Sequence, residues 1–262
     1  MAGRLDRQPV LVDAHAHLDL LDYPSKAVAD ALASGVAGII AVGTDLASSR
    51  RAVEFSLKFP QVLACPGIHP HEAASVDREL FTKLRNLAAS PRVAAIGETG
   101  LDFYRELAPR QAQIDLFRRQ IALAREKDLS LMVHTRQAAG PTLEILASDA
   151  AGLTVILHCF SLWDQVQECA RRGYYMSIAG NVTYKKADEL RRAAASIPFH
   201  LLLTETDSPY LAPVPHRGKP NRPEYVQFTA AEIARLRGLS EAAFAAQVLA
   251  NFSRAFNRLK PG

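Results

Sequence analysis

Two histidines near the start of the chain have the spacing of metal ligands. His15 and His17 follow the apolar run at 9–12, which is typical of a short buried strand, and lie between carboxylates in the stretch DAHAHLD, residues 13–19. On an extended backbone, residues two apart point the same way, so the two imidazoles project together. The pair is half of a metal site that needs partners from elsewhere in the chain, unless both are ordinary surface or core histidines.

Short apolar runs alternate with longer amphipathic runs along the whole sequence. The short runs, too uniformly apolar for exposed antiparallel strands, lie at 10–13, 38–42, 62–65, 93–97, 129–133, 154–157, 174–178 and 201–204. The predicted helices lie at about 24–34, 46–58, 75–88, 109–127, 137–148, 163–172, 185–195, 224–236 and 240–258. Pro109 fits the first turn of its helix, and Ser240 fits the N-cap of the last one.

Eight strand–helix units in about 250 residues match the size of a (β/α)8 barrel. A doubly wound open sheet has the same alternation, but it more often carries a glycine-rich phosphate loop after its first strand. Here that position reads Ala14-His15-Ala16-His17. We therefore predict an α/β fold of the TIM barrel type that forms one domain over residues 1–262.

Composition narrows the class of protein. Hydrophobic residues make up 48% of the chain, which is ample for a large core and argues against disorder. Three cysteines without a CxxC pair fit a reducing compartment. The first residues lack the apolar segment of a signal peptide, and no apolar stretch is long enough to cross a bilayer, so we expect a cytoplasmic protein without membrane contact. The formal charge of +4 permits an anionic partner without requiring one.

The other chemically active side chains cluster where predicted strands end, and in a barrel those ends form the active face. His69 and His71 follow the third apolar run, and Glu98 follows the fourth. His134, His158 and Asp207 follow the fifth, sixth and eighth runs respectively. Scattered surface or core histidines would not gather at these positions. A metal site is therefore favoured, although a salt bridge within the barrel is an alternative role for Glu98.

Imidazole and carboxylate ligands suit Zn, Mn, Fe or Mg. Four histidines together with Glu98 and Asp207 exceed the needs of one tetrahedral ion, whereas two ions about 4 Å apart that share one carboxylate would use them all. Such a pair can activate water against a phosphoester or polarise a carbonyl group. The spacing therefore predicts metal-assisted hydrolysis and leaves the bond type open.

Six motifs occur in an order that points to a known family. They are DAHAHLD (13–19), GIHPH (67–71), GETGLDFY (97–104), HTR (134–136), HCFS (158–161) and LLLTETDSPYLAPVPHRGKPN (201–221). Together they resemble the TatD family of metal-dependent deoxyribonucleases, within the wider amidohydrolase superfamily, from about residue 11 to the C-terminal helices. The family has a glutamate on its fourth strand where many amidohydrolases have a modified lysine, and Glu98 matches that glutamate.

The resemblance implies two divalent metal ions, Mg, Mn or Zn. The ligands it implies are His15, His17, Glu98 and Asp207 for one ion and Glu98, His134 and His158 for the other. Glu98 would bridge the ions, His69 would contact the scissile phosphate, and Asp207 would help to orient the attacking water as general base. The implied reaction is cleavage of phosphodiester bonds in DNA, as 3′-5′ exonuclease trimming of single strands.

Other residues are expected to support the site. Arg136, two residues after His134, is the best candidate for a phosphate contact, and Tyr104 is expected to stack on a base or to pack in the core. A basic rim is expected from Arg136, Lys185, Lys186, Arg217, Lys219 and Arg222. Carboxylates expected to orient the ligand histidines are Asp13, Asp19 and Asp102.

The sequence departs from the family pattern at two positions. Arg222 stands where the family more often has a glutamate, which puts the usual salt bridge of that loop in doubt. Trp163 stands where a glycine is commoner, and it either stacks on a base or packs at the start of a helix. Neither position is a predicted ligand.

Two other functions stay open at this point. The same metal site could hydrolyse the ester that links a D-amino acid to tRNA, a role also attached to TatD-like proteins. Alternatively, the barrel could bind nucleic acid without catalysis. The sequence does not indicate the native metal or the oligomeric state.

Overall fold

The computed structural model describes residues 10–256, which form parallel strands enclosed by helices. The strands are β1 Leu11–Ala16, β2 Val36–Val42, β3 Val62–Cys65, β4 Ala95–Asp102, β5 Ser130–Arg136, β6 Val155–Leu157, β7 Tyr175–Ile178 and β8 Leu202–Thr204. The α-helices are α1 Pro24–Ala33, α2 Leu46–Lys58, α3 Arg78–Leu87, α4 Arg110–Lys127, α5 Ala139–Asp149, α6 Val166–Arg171, α7 Asp188–Ser196, α8 Val226–Leu236 and α9 Glu241–Ala255. Every predicted strand and helix overlaps an observed one. Within residues 10–256, no helix combines the length and apolarity needed to cross a membrane.

Hydrogen bonding divides the strands into two arcs, which close into a barrel. One arc has the order β1-β2-β3 and the other β4-β5-β6-β7-β8, with parallel pairing throughout. An isolated parallel bridge from Ala64 to Val93 joins β3 to the start of β4. A second bridge joins Ala16 at the end of β1 to Ser208, just beyond β8. The predicted (β/α)8 barrel is confirmed, and it closes at these two seams.

Strand β4, which carries Glu98, and strand β5, which carries His134, extend beyond the apolar runs that predicted them. Pairing between β4 and β5 continues through Gly100 with His134 to Asp102 with Arg136. Glu98 and His134 therefore lie inside β4 and β5, whereas the sequence had suggested that they follow these strands. The apolar run marks only the first part of each strand, whereas the parallel ladder continues through polar residues to the edge of the pocket.

Helix boundaries follow their capping residues. The predicted helix at 75–88 begins later, at Arg78, because the Asp77 carboxylate accepts a hydrogen bond from Leu80 N at 2.7 Å and caps α3. Pro109 was predicted in the first turn of its helix and lies one residue earlier, at the N-cap of α4. Ser240 caps α9 as predicted. Residues 257–258 of that predicted helix lie outside the described residues.

The last helix covers the amino-terminal end of the barrel. The Ser130 hydroxyl, at the start of β5, donates to Ala255 O at 2.6 Å. Asn251 Nδ2 donates to Leu202 O, at the start of β8, at 2.7 Å. Phe252 packs so closely on Gly38 that a Cβ there would lie 2.9 Å from the ring. With this end covered, the loops at the carboxyl ends of the strands surround the accessible pocket.

Candidate metal centre

A pocket of about 680 Å³ opens at the carboxyl end of the barrel, and seven of the eight strand-to-helix connections contribute to its lining together with the end of β5. The predicted site residues in its wall are His17, His69, Glu98, His134, Arg136, His158 and Asp207. His15 is fully buried beside His17. Tyr104 lies beyond the lining residues with 55% of its surface exposed, so it does not pack in the core. The structure thus brings the predicted metal-site residues to one place.

Glu98 lies at the centre of the histidine cluster. Its two carboxylate oxygens face different imidazoles. Oε1 lies 2.8 Å from His134 Nδ1, 2.9 Å from His158 Nε2 and 3.5 Å from His69 Nε2. Oε2 lies 3.5 Å from His15 Nε2 and 3.6 Å from His17 Nε2. This division of the imidazoles between two oxygens is the geometry expected of a carboxylate shared by two cations.

Asp207 lies beside the pair of histidines on β1. Its Oδ1 is 3.5 Å from His17 Nε2 and 3.8 Å from His15 Nε2. The two Nε2 atoms are 3.2 Å apart. Ligand atoms each about 2.0–2.1 Å from one zinc ion are separated by roughly 3–3.5 Å. The spacing among these atoms is close to that of ligands around a common ion.

Buried atoms without hydrogen-bond partners supply an independent test of whether the residues fit a metal. His158 Nε2 makes no hydrogen bond of acceptable geometry, although Glu98 Oε1 is 2.9 Å away. A buried polar atom left without a partner costs about 1–3 kcal/mol. A cation would satisfy this nitrogen and the surrounding carboxylates together. The donor set therefore fits a divalent ion.

Three groups of atoms in the described part of the chain are compact enough to hold an ion, each with its atoms within 4.8 Å of one another. The groups are His15, His17 and Glu98; His69, Glu98 and His134; and His15, His158 and Glu205. The first contains three of the four residues in one predicted ligand set and lacks Asp207. The second contains His69 in place of the expected His158, and the third adds Glu205, so geometry alone allows a wider set than the sequence suggested.

The charges in the cluster compensate one another. Burial by itself would raise the pKa of the Glu98 carboxyl, but the imidazoles of His158 and His69 outweigh it and hold that pKa well below its usual range. Burial would lower the pKa of His158, but the carboxylates of Glu98 and Glu205 hold it well above its usual range. Without an ion, protons on imidazoles therefore balance the buried carboxylates.

Hydrogen bonds on the outer ring nitrogens fix the tautomers of two histidines. Val42 O lies 3.3 Å from His17 Nδ1, and Glu205 Oε1 lies 3.3 Å from His158 Nδ1. Because both oxygens are acceptors, the ring proton of each neutral imidazole sits on Nδ1. The lone pair of Nε2 then faces the centre of the cluster, which is the arrangement that metal-ligating histidines adopt.

His69 has the opposite arrangement. Its Nδ1 accepts a hydrogen bond from the backbone N–H of His71 at 3.2 Å, so the ring proton lies on Nε2. Burial lowers the pKa of His69, although Glu98 opposes this effect, and the ring is therefore neutral at physiological pH. Its Nε2–H faces the pocket as a hydrogen-bond donor, which suits contact with an anionic oxygen better than ligation of a cation.

Glu205 is a site residue that the sequence reasoning missed. Its side chain is completely buried, and Oε1 accepts from Cys159 N at 2.7 Å as well as facing His158 Nδ1. A signal was available, because residues two apart on extended backbone share a side and Glu205 precedes Asp207 by two. The Glu205 carboxylate orients the His158 ring through Nδ1, the ring nitrogen that faces away from Glu98.

The three aspartates expected to orient histidines behave differently from one another. Asp102 Oδ2 lies 3.4 Å from His134 Nε2 and 2.9 Å from His71 Nε2, so it does contact a predicted ligand. Asp19 instead pairs with Arg51 at 2.9 Å, at the edge of the loop after β1. The expectation from sequence therefore holds for Asp102, whereas the contact found for Asp19 is structural.

Asp13 ties β1 to the segment that follows β8. Its carboxylate accepts from Thr206 N at 2.8 Å and from Thr206 Oγ1 at 2.6 Å, and His15 N lies 3.3 Å away. Complete burial raises the pKa of Asp13 to about 8, against the opposing effect of the Thr206 hydrogen bonds. Asp13 therefore fixes the backbone that carries His15 and Asp207 and does not orient an imidazole ring.

Two buried glutamines of α4 hold the loops that carry site residues. Gln120 accepts from Ile68 N at 2.9 Å and donates to Ile68 O at 2.8 Å, immediately before His69. Gln113 accepts from Asp102 N at 2.9 Å. The apolar periodicity of α4 predicted the helix but gave no indication of these amides, since their partners come from distant loops.

Several basic and aromatic side chains singled out in the sequence have partners within the protein. The Arg136 guanidinium lies over the Tyr104 ring, with 4.0 Å from its central carbon to the ring centre. Arg222 pairs with Asp30 and with Glu224, so this loop has ion pairs with an arginine at this position. Trp163, which is 39% exposed, donates from Nε1 to Phe160 O at 3.3 Å at the start of the helical segment.

A histidine and carboxylate cluster at the carboxyl end of a (β/α)8 barrel defines the class of metal-dependent barrel hydrolases. The family model described as TatD related DNase matches residues 12–257, and the chain belongs to this family. It is 40% identical over 262 aligned positions to the uncharacterized metal-dependent hydrolase YcfH of Escherichia coli K12, with 94% of this chain and 96% of that protein covered.

Two further comparisons bear on the fold and the chemistry. The chain is 37% identical to a protein of Enterobacter lignolyticus named 3'-5' ssDNA/RNA exonuclease TatD, with 80% of this chain and 84% of that protein covered. The crystal structure of YJJV, a TatD homologue from Escherichia coli K12, superposes with a TM-score of 0.89 at 26% identity and covers 96% of this chain and 99% of that one.

Proposed function

We propose that this protein is a single-domain exonuclease that removes nucleotides from the 3′ end of single-stranded DNA, with two divalent ions, Mg, Mn or Zn, at its active site. The observation that carries the proposal is the position of Glu98, whose Oε1 faces His134 and His158 while Oε2 faces His15 and His17. This arrangement supports a bridging carboxylate. The name of the Enterobacter relative supports a nucleic-acid substrate.

The ligands in this proposal are His15, His17, Glu98 and Asp207 for one ion and Glu98, His134 and His158 for the other. When bound, the two ions supply Lewis-acid charge that promotes deprotonation of water and stabilises the charge that develops on the phosphoryl oxygens. Asp207, which lines the pocket, accepts the proton of the water that attacks phosphorus. Glu98 is essential because it neutralises charge and fixes the spacing of both histidine groups.

The phosphate is positioned by side chains of the chain itself. His69 donates from Nε2 to a non-bridging oxygen of the scissile phosphate, as its tautomer allows. Arg136 binds a phosphate at the pocket mouth, and Tyr104, stacked beneath its guanidinium, offers an aromatic surface to a base. The three free cysteines fit a reducing compartment, and we expect the protein to act in the cytoplasm.

The nuclease assay uses purified protein and a 5′-labelled single-stranded oligonucleotide with Mg²⁺, Mn²⁺ or Zn²⁺. We expect stepwise shortening from the 3′ end, loss of activity after chelation and recovery when metal is added back. Glu98→Ala should be inactive under all of these conditions. Cleavage that survived complete chelation, or that persisted in Glu98→Ala, would contradict the proposed mechanism.

The ester-hydrolysis alternative uses the same residues and is tested in parallel. Release of amino acid from a D-aminoacyl-tRNA is compared with release of nucleotides from DNA at equal enzyme concentration. We expect the nucleotide reaction to have the higher kcat/KM. A clear preference for the charged tRNA would assign the site to the ester substrate.

A further inference from the structure

Two walls of opposite character face each other across the pocket. The connection after β4 contributes the cation Arg105, and the last residue of β5 contributes the cation Arg136. The connections after β8 and β1, which adjoin at the Ala16 seam, contribute Leu20, Tyr210 and Leu211. In an eight-stranded barrel these two pairs of strands lie on opposite sides. We call the set Leu20, Tyr210 and Leu211 the apolar wall.

The apolar wall stands next to the candidate metal centre. The ring of Tyr210 lies edge to face against His17, with 6.0 Å between centroids, and 55% of the tyrosine surface is exposed. Leu20 is 50% exposed. Exposed large apolar side chains that line a pocket are typical of ligand-binding surfaces. A flat apolar group bound here would lie within reach of a phosphate at the ligand cluster.

One polar atom beside the apolar wall lacks a partner. Asn181 Oδ1 is buried and makes no hydrogen bond to the described residues, and Asn181 lines the pocket. The neighbouring Gly180 packs so closely on the wall that a Cβ there would lie 2.4 Å from Leu211 O. Since unpaired buried amide groups are costly, this amide is suited to pair with a polar group of a bound ligand.

We propose that the apolar wall and Asn181 bind the nucleoside of the terminal nucleotide, while the phosphates that follow along the strand run towards Arg105 and Arg136. This inference rests on the proposed nuclease function and specifies its substrate contacts. A ligand with a flat apolar face on one side and anionic charge on the other matches the two walls. The Tyr210 ring stacks on the base, and Asn181 pairs with a hydroxyl of the sugar or an edge of the base.

The wall also explains why an unpaired strand end would be required. At the end of a duplex the terminal base is stacked on its inner neighbour and its edge is paired with the opposite strand, so it reaches the apolar wall and Asn181 only after unpairing, which costs energy. An unpaired terminal base presents both its face and its edge. The structure thus links the preference for single strands to the Tyr210 side of the pocket and not to the cationic wall, which would attract either form of DNA.

The experiment compares two single-stranded oligonucleotides that differ only at the 3′ terminus, one with a normal nucleotide and one with a stable abasic analogue. Wild-type protein should show a KM about tenfold higher for the abasic end, in line with the usual contribution of one stacked base. Tyr210→Ala should raise KM for the normal end by about the same factor, leave kcat within about twofold, and make no distinction between the ends. Tyr210→Phe should keep the distinction.

Controls separate stacking from general damage. Tyr23→Ala removes another exposed tyrosine of the loop after β1, one that does not line the pocket, and should leave the distinction between the two ends unchanged. Asn181→Ala should weaken binding of the normal end. An equal loss by Tyr210→Ala on both oligonucleotides, or wild-type protein that bound both ends alike, would overturn the inference.

A binding measurement keeps this test independent of turnover. Fluorescence anisotropy in chelator, where cleavage does not interfere, should give the same ratio of Kd values between the two oligonucleotides in wild-type protein and no ratio in Tyr210→Ala. If the chain bound the normal end preferentially yet cleaved neither oligonucleotide with any metal, the nuclease proposal would fail while the nucleoside site stood. Cleavage of both oligonucleotides without any preference for the normal end would support the nuclease proposal and contradict the nucleoside site.

Discussion

Gly67 and Gly97 approach each other so closely that a Cβ on Gly67 would lie 2.3 Å from the carbonyl carbon of Gly97. The contact joins the connection after β3, which carries His69, to the strand that carries Glu98. Gly97 itself has φ +155° and lies against Met132, where a side chain would clash with the backbone oxygen. The carboxylate at the centre of the cluster is therefore placed by two glycines.

Gly67→Ala should disturb this contact because the three nearest atoms, the carbonyl carbon, the carbonyl oxygen and the Cα of Gly97, all belong to the backbone and have little room to move. We expect a loss of about 1–3 kcal/mol in the free energy of unfolding, typical of overpacking, and weaker metal binding. Chemical denaturation and metal titration measure the two effects. Gly140→Ala is the matched control, since a Cβ at Gly140 meets no atom within 4 Å. Equal behaviour of the two variants would show that the contact is unimportant.

Substitution of His69 should reduce kcat without loss of bound metal, whereas substitution of His158 should reduce both. His69→Ala should lower kcat by about 100-fold, the effect of losing one well-placed donor to a developing charge, and should retain its bound metal. His158→Ala should lose metal as well as activity. Metal content by mass spectrometry of the purified variants, read beside kcat, separates the roles. Loss of metal from His69→Ala would instead make His69 a ligand.

Glu205→Gln should weaken metal binding although Glu205 is not among the proposed ligands. The amide is nearly the same size but removes the negative charge that holds the Nδ1 proton of His158, and partners of this kind typically contribute 10–100-fold to metal affinity. Asp19→Asn, which alters the carboxylate paired with Arg51, serves as the control. An unchanged metal Kd in Glu205→Gln would remove Glu205 from the site.

Metal binding should release protons at neutral pH. The pKa of His158 is raised well above its usual value of about 6.5, so the metal-free protein carries a proton there at pH 7 that a cation must displace. The pKa of Glu98 is held well below its usual range, so Glu98 releases none. Affinity should therefore rise with pH through the neutral range until His158 is neutral in the metal-free protein.

Calorimetric metal titrations in two buffers of different ionisation enthalpy measure this release directly. The number of protons released should fall as the starting pH increases. A metal affinity that was constant from pH 6 to pH 8, with no buffer dependence of the measured heat, would contradict the protonation state described for His158.

The sequence predicted the barrel because eight apolar runs alternate with amphipathic ones, a pattern that depends only on local periodicity. It also predicted which histidines and carboxylates meet, since parallel strands in a barrel bring their carboxyl ends together. His15 and His134, 119 positions apart in the chain, both contact Glu98 for this reason.

What the sequence did not reveal are contacts that only the folded arrangement creates. Gln120 is spaced like an apolar residue of α4, yet it binds the backbone beside His69. The true ends of β4 and β5 depend on how far each strand finds a pairing partner, which local apolarity does not report. The tautomer of His69 depends on one backbone N–H, and no residue pattern encodes that choice.

The two seams of the barrel bear on how the protein fluctuates. Each seam has one isolated bridge and a few further hydrogen bonds, such as those from Thr206 to Asp13, and side chains from both arcs converge on Glu98, among them His15 on β1. A cation held there would cross-link the arcs and resist their separation. Amide hydrogen exchange near Ala16 and Ala64 should then slow when metal is added, while exchange inside each arc changes less. The metal centre would thus stabilise the closed barrel in addition to its role in catalysis.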